Sequence, residues 1–592
     1  MARMETTMTL LSGPLHRAGL VAVLCMLLVS CAASGHRSDT PAVADSGTAA
    51  APAPGVADET AALPAQELTD DMMYDILLAE IAGQRGELQA SVAHYLRAAE
   101  EANDPRVAER AVQIASFAKQ YDLALHAARR WVALDPDNIE AHKTLTVLAL
   151  ETGDTDAVIT QVDYLLSVTD NPEEGFQMAT AILARDSDRQ AGLAAMQQLV
   201  TRHPESPYAW MALSRIAVLA EELEQALDAV NKALVLEENL PAAVILKAQI
   251  LVRLERNAEA TRMLEQAVRV HPGDTNLHFA YGRMLLDAED LEGARKQFAR
   301  VVKLEPDNAD GLYSLALLEL ETKRFASGEK HLKQLLELDQ RVDNAYYYLG
   351  YAALEQGNDD AALEWYGKVE SGDYWSQAQL RSAEILVRRG DIEAMQNQMS
   401  VLRQKNPQQT VEFYLLEGQV LSDAGHHAAA VNVYDTALAA SPDNEDLLYA
   451  RALAAEKLGQ LEAAEADMRR ILAKDPENVR TLNALGYTLA DRTDRYQEAL
   501  SYISRAYARK PDDPAIIDSM GWVHFRLGKL DEARQYLQQA WDMTGDSEIG
   551  AHLGEVLWTQ GEQAAARAIW NTSLESNPDN PVLLETIKRL DP

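Results

Sequence analysis

Turn prolines recur along this 592-residue chain at a fixed interval. Pro204, Pro272, Pro306, Pro442 and Pro476 are separated by 68, 34, 136 and 34 residues, and every gap is a multiple of 34. A period of this size means one small unit stacked on copies of itself, because a unit so short cannot bury its apolar face alone. Units starting at 72, 105, 139, 173, 207, 241, 275, 309, 343, 376, 411, 445, 479, 514 and 547 make fifteen, with one-residue length changes absorbed at turns.

Within that frame small residues hold fixed places. The eighth position is Gly at 282, 350, 418, 486, 521 and 554, and the twentieth is Ala in units such as those holding Ala226, Ala260, Ala294, Ala362, Ala464, Ala533 and Ala566. Two helices must approach closely there, and a larger side chain would force them apart. Gly357, Gly425, Gly459, Gly528 and Gly561, at position fifteen, each end a first helix. Pro-Asp and Pro-Glu turns then separate one helix pair from the next.

The pattern resembles the tetratricopeptide repeat. The unit from 275 to 308 carries Tyr281-Gly282, Ala294, Phe298 and Pro306, and the unit from 514 to 546 carries Gly521, Leu527-Gly528, Ala533 and Ala540. The resemblance implies an all-α fold, a superhelical solenoid of about fifteen helix pairs. It covers roughly 72–580 and is strongest from 207. Residues 67–206 are expected to be divergent helical repeats, since position eight there is Ala79, Val112, Thr146 and Thr180. Residues 207–580 are expected to be regular repeats. The segment 581–592, with Leu583, Leu584, Ile587 and Leu590 at helical spacing, is expected to be a helix closing the last apolar face.

In that family, positions 2, 5, 9, 12 and 13 of each unit look into the concave face. Here they include Tyr208, Phe279, Tyr313, Tyr347, Tyr351, Tyr449, Tyr487, Trp522, Phe525 and Trp558, interspersed with Arg215, Arg283, Arg388 and Arg526. Aromatic and arginine side chains are the ones most enriched at binding hot spots, so this face is the candidate protein-binding surface. Roughly half of the rings are expected to staple adjacent repeats instead. Trp210, Phe298, Tyr434 and Trp570 fall at packing positions and are expected in the core.

The N-terminus reads as an export signal, residues 1–30. Arg3 and Arg17 precede an apolar run from Leu20 to Val29 that is too short to be a permanent span. The run ends in Leu28-Val29-Ser30-Cys31, which resembles a bacterial lipoprotein box with Cys31 as the lipidated mature N-terminus. Only a thiol at that place forms the diacylglyceryl thioether, and the small Ser30 lets the peptidase reach the scissile bond. Multiple acyl chains anchor stably where one binds only marginally. Ala32, in place of Asp, resembles lipoproteins sorted to the outer membrane, with the body facing the periplasm. Residues 31–66 are dominated by Ala, Pro, Gly, Ser and Thr and read as a flexible tether.

Charge removes whole classes of function. With 54 basic and 91 acidic side chains the net charge is −37, which excludes a nucleic-acid binder and disfavours a polybasic grip on lipid. The two cysteines, Cys25 and Cys31, both lie in the leader region, so the body has no disulfide. No catalytic motif emerges, and neither a cofactor nor a metal is expected. His426-His427 reads as a solvated pair, and Gly528-Lys529 as an inter-helix turn, because position 523 is Val where a phosphate loop needs Gly.

A large acidic repeat lipoprotein on a Pro/Ala tether resembles the envelope adaptors of periplasmic carboxyl-terminal processing proteases. That resemblance implies a non-enzymatic scaffold that binds and activates the serine protease and delivers peptidoglycan cross-link hydrolases to it. Two alternatives stay open: a pilotin-like or outer-membrane assembly lipoprotein handling secretin or barrel subunits, and a peptidoglycan hydrolase.

Overall fold

The computed structural model describes residues 69–184 and 189–591. The signal segment with its lipoprotein box, Cys31 and the tether lie outside the described residues. The chain divides into two compact units, Met1–Arg341 and Val342–Pro592. Among the described residues of both units the regular structure is helical, without strands.

In the first unit α1 (Asp70–Gln84) pairs with α2 (Leu88–Glu101), α3 (Pro105–Phe117) with α4 (Tyr121–Leu134), and α5 (Ile139–Glu151) with α6 (Thr155–Ser167). There follow α7 (Pro172–Leu183) with α8 (Arg189–Arg202), α9 (Pro207–Leu219) with α10 (Leu223–Leu236), and α11 (Pro241–Arg253) with α12 (Asn257–Val270). The last two pairs are α13 (Thr275–Asp287) with α14 (Leu291–Leu304) and α15 (Ala309–Glu321) with α16 (Phe325–Glu337).

The second unit begins with α17 (Val342–Glu355) and α18 (Asp359–Tyr366), then α19 (Trp375–Arg388) with α20 (Ile392–Lys405) and α21 (Thr410–Asp423) with α22 (His427–Ala440). It continues with α23 (Glu445–Lys457) and α24 (Leu461–Lys474), α25 (Val479–Arg492) and α26 (Tyr496–Arg509), and α27 (Pro514–Arg526) and α28 (Leu530–Thr544). It ends with α29 (Ser547–Thr559), α30 (Gln563–Ser576) and the single helix α31 (Pro581–Leu590). Each unit is thus a solenoid of antiparallel helix pairs, and every first helix begins within two residues of the 34-residue frame.

Local chemistry explains that accuracy. Asn138, Asn308, Asn444, Asn478 and Asn580 cap the helices that follow them by accepting a backbone N–H, and Asp104, Asp274, Asp513, Asp546 and Ser206 do the same. Pro105, Pro207, Pro241 and Pro514 occupy the first helical turn, where no N–H is needed. Pro172 does likewise at the head of α7, which accounts for its offset from the turn prolines.

The turn within most pairs uses a left-handed residue, the one between α25 and α26, where Thr493 is extended at φ −139°, being an exception. Gly357, Gly425, Gly459, Gly528 and Gly561 supply the left-handed residue in the second unit, with φ between 73° and 88°. In the first unit Gly86 and Gly153 supply it in two pairs, while in others the same position fifteen is Lys119, Glu221, Glu255, Glu289 or Lys323, held at φ 55° to 64°. These side chains adopt a backbone conformation that costs roughly 1 kcal/mol for a residue with a Cβ.

The small-residue rule has a steric origin that the structure makes explicit. A Cβ on Gly350 would lie 2.6 Å from the Tyr366 ring, and one on Gly554 or Gly418 would run into Trp570 or Tyr434. Glycine at position eight therefore receives the large side chain at position twenty-four of the same pair. Phe298, Tyr434 and Trp570 are buried as their positions imply, but Trp210 is only half-buried. Its indole Nε1 donates to the Pro204 carbonyl at 2.9 Å, and the Lys232 ammonium lies 4.3 Å from the ring centroid, so it clasps a turn at the surface.

One pair departs from the pattern. Helix α18 has eight residues and stops at Gly367. The segment after it is pinned by Asp343, which accepts from the Glu370 amide at 2.8 Å and the Ser371 hydroxyl at 2.6 Å.

Candidate protein-binding face

First helices pack on first helices of neighbouring pairs, α7 on α9 in the first unit and α25 on α27 in the second. Side chains at the inward positions of successive units are thereby brought side by side, and their surroundings differ from one to the next.

In the first unit Tyr313 is almost fully enclosed, with the Arg341 guanidinium 4.8 Å from its ring centroid. Phe279 is half-buried, edge-on to Phe298 at 5.3 Å. Arg283 is half-buried. Tyr208 and Arg215 line a cleft between α7 and α9 whose floor is Phe176 and Met211. Burial and the Glu237 and Glu173 carboxylates push the Tyr208 phenol up, and burial pulls the Arg215 guanidinium down.

In the second unit Tyr347 and Trp522 are 4% and 6% exposed, too little to serve as open anchors, and they act as packing. Tyr347 stacks on Tyr374 with centroids 4.5 Å apart. Tyr351, one turn along α17, is half-buried. Tyr449 lies under the Arg480 guanidinium at 4.1 Å, and burial pushes its phenol up against that cation. Phe525 and Trp558 are half-buried, Phe525 beside Trp522 at 5.1 Å and Trp558 stacked on Trp570 at 5.6 Å. Arg388 is exposed at the end of α19 and bonds Asp359 at 2.7 Å. Arg526 donates to the Asp491 carbonyl at 3.0 Å and to the Tyr496 hydroxyl at 2.9 Å, which fixes its side chain across two pairs.

The densest cluster forms where α25, α27 and α29 lie side by side. The buried His552 imidazole stacks on Trp522 at 4.3 Å, places Nδ1 2.9 Å from Oδ1 of Asp518, and turns Nε2 toward the Tyr487 hydroxyl at 3.4 Å. Trp522 in turn donates from Nε1 to Asp491 at 3.3 Å. Burial works against charge on His552, yet Asp518, Glu548 and Asp491 raise its pKa to about 8. Tyr487 is pushed well above the ordinary phenol range by burial and by the same carboxylates. Asp518 and Asp491 occupy inward positions five and thirteen of their units, where the sequence singles out only aromatic and arginine side chains, so both pass unmarked. His552, at position six, is unmarked as well.

Among the described residues, no three His, Cys, Asp or Glu side chains converge as metal ligands would. His426 is exposed, while His427 opens α22 half-buried, with Nδ1 facing no acceptor.

Tetratricopeptide repeat models match residues 182–243, 245–309, 285–328, 313–373, 415–479 and 449–514, and a second such model matches 492–548. The chain belongs to the tetratricopeptide repeat family. It is 33% identical over 590 residues to the TPR repeat-containing protein PA4667 of Pseudomonas aeruginosa, spanning 98% of this chain and 97% of that one. The protein CTR9 homolog of Arabidopsis thaliana is 24% identical over 356 residues, 56% of this chain and 32% of the relative. Among solved structures, the TPR protein TTC0263 of Thermus thermophilus is 26% identical, with a TM-score of 0.28, and covers 30% of this chain and 96% of its own. Tetratricopeptide repeats imply a protein–protein interaction scaffold.

Proposed function

We propose that the protein is a lipid-anchored scaffold on the periplasmic side of the outer membrane, where it binds and activates a carboxyl-terminal processing serine protease and presents peptidoglycan cross-link hydrolases to it. The observation that carries this reading is the run of fifteen helix pairs with half-buried aromatic and arginine side chains on successive first helices. Such faces bind proteins through a few anchors, and a run this long offers separate stretches for two partners. The Leu28-Val29-Ser30-Cys31 box supports the anchor, and the −37 net charge supports capture of basic hydrolases. The adaptor role itself rests on resemblance to envelope adaptors of this type.

The test is a pull-down from detergent-solubilised envelope, read by mass spectrometry. Co-purification of a carboxyl-terminal processing protease together with cell-wall hydrolases is the expected result. Secretin or barrel subunits in their place would overturn the adaptor reading, and turnover of purified cell wall by the protein alone would overturn the scaffold reading.

A further inference from the structure

The first and last helices of the repeat series are finished differently. On α31 Leu583 is buried, and Glu585, Lys588 and Arg589 face water beside Leu584. A terminal helix of a solenoid needs such a polar outer face, because no further repeat covers it. Helix α1 lacks one. Met72, Ala79 and Ala82 are its buried side, while Met73, Tyr74, Leu77 and Ile81 stand 44–62% exposed. Their spacing of three and four residues places them in one stripe along the helix. Among the described residues no other helix exposes more than two large apolar side chains.

The charges around this stripe are arranged with a symmetry of their own. Asp75 accepts from Arg97 at 2.8 Å, and Glu80 accepts from the Tyr95 hydroxyl and from Arg110 at 3.2 Å, so both carboxylates are satisfied within the first two pairs. Asp70, at the head of the stripe, and Arg85, just past its end, are exposed and have no ion-pair partner among the described residues. They lie seven and eight residues from Leu77 on either side. A second α1 turned end for end about Leu77 therefore sets each Asp70 against the other copy's Arg85, and each Tyr74 against the other's Ile81. Opposed helix dipoles favour the same arrangement.

Other covers fit less well. Between Cys31 and Thr69 the apolar residues larger than alanine or proline are Val43, Val56, Leu63 and Leu68, too few and too scattered to match the stripe. Anionic lipid would repel Asp70, Asp71 and a chain of net charge −37. We propose that α1 is a self-association face, pairing antiparallel with α1 of a second copy of this chain about an axis at Leu77. One helix stripe is smaller than the roughly 800 Å² per partner of a stable complex, so the pairing is weak in dilute solution. Copies held on one membrane would meet at raised effective concentration, which strengthens it.

The test is sedimentation equilibrium on the purified mature protein at concentrations up to about 100 μM. A reversible dimer is expected. Leu77→Asp, at an exposed position, should be monomeric with an unchanged melting temperature. Arg85→Glu should weaken the dimer about fivefold, and adding Asp70→Lys should restore it. In envelope vesicles under mild oxidation, Leu77→Cys should cross-link to itself and Tyr74→Cys should not, although Tyr74→Cys should link to Ile81→Cys when the two are co-expressed. A monomer at every concentration would overturn the proposal, as would a dimer indifferent to Leu77→Asp. Cross-linking of Leu77→Cys to a different protein would overturn it in favour of that partner. Flotation of the monomer with neutral phospholipid vesicles, lost in Leu77→Asp, would assign the stripe to the bilayer instead. No protease enters these assays, so their failure leaves the adaptor reading to be decided by the pull-down.

Discussion

Nδ1 of His552 on α29 lies 2.9 Å from Oδ1 of Asp518 on α27, 34 residues earlier, and both side chains are buried. Asp518 at position five of its unit and His552 at position six of the next lie at nearly equivalent places, so the bond ties neighbouring units together. The Trp522 indole stacked on the imidazole and the Tyr487 hydroxyl beside Nε2 extend the tie to α25. Breaking a buried pair from one side leaves the other charge unsatisfied, which costs more than the pair contributes.

The first prediction concerns pH. Burial lowers the His552 pKa, but Asp518, Glu548 and Asp491 more than offset it and raise the folded value to about 8, against 6.5 for a free imidazole. A raised histidine stabilises the fold fully below the unfolded pKa and loses that contribution as pH climbs through the folded one. The difference corresponds to about 2 kcal/mol. Melting temperature should therefore drop between pH 6.5 and pH 9 by more in the natural protein than in His552→Gln, measured by circular dichroism. Parallel pH profiles for the two would contradict it.

A second prediction follows from the turns of the first unit. Glu221, Glu255 and Glu289 sit at φ 64°, 60° and 60°, where glycines serve in the second unit. Replacing each with Gly relieves a strained backbone, with a gain of roughly 0.5–1 kcal/mol per site. Urea unfolding of the triple variant should show a higher midpoint for the first unit. The reverse change, Gly561→Glu at φ 88°, should lower stability. A triple variant less stable than the natural protein would refute the strain argument.

Cys31 supplies the third. Cys31→Ser removes the only thiol at the lipoprotein box and should give an uncleaved precursor or a protein lost from the outer-membrane fraction. Sucrose-gradient fractionation with immunoblotting decides it. A Ser variant of mature size that stays with the outer membrane would remove the anchor from the account.

The fourth separates packing from binding on α17 and α27. Trp522 is 6% exposed and braced by His552 and Asp491, so Trp522→Ala should cost about 3–5 kcal/mol. Tyr351 is half-buried, and Tyr351→Ala should leave the melting temperature close to normal while lowering affinity for a protein partner. Thermal melts and binding isotherms on both variants check the split. A large loss of stability in Tyr351→Ala would assign that ring to packing as well.

The repeat was legible because its punctuation is local. Asn and Asp caps, prolines in first turns and left-handed glycines act within a few residues of themselves, so all fifteen first helices could be placed from spacing alone. The inward aromatics were legible as positions, but their exposure was not. Whether Tyr347 is closed depends on Tyr374, which arrives because α18 stops after eight residues, a truncation that Gly367 alone does not announce. Trp210 occupies a packing position yet turns to the Pro204 carbonyl, a choice made by the neighbouring turn. The His552–Asp518 pair was invisible for a similar reason. A carboxylate at an inward position reads as solvated until the helix that buries it supplies the imidazole.

The most direct measurement is the rate at which a purified carboxyl-terminal processing protease cleaves a cell-wall hydrolase, taken without the mature scaffold, with it, and with Tyr351→Ala. The account predicts faster cleavage with the scaffold and a smaller acceleration with the folded variant. A cleavage rate that the scaffold leaves unchanged would contradict it.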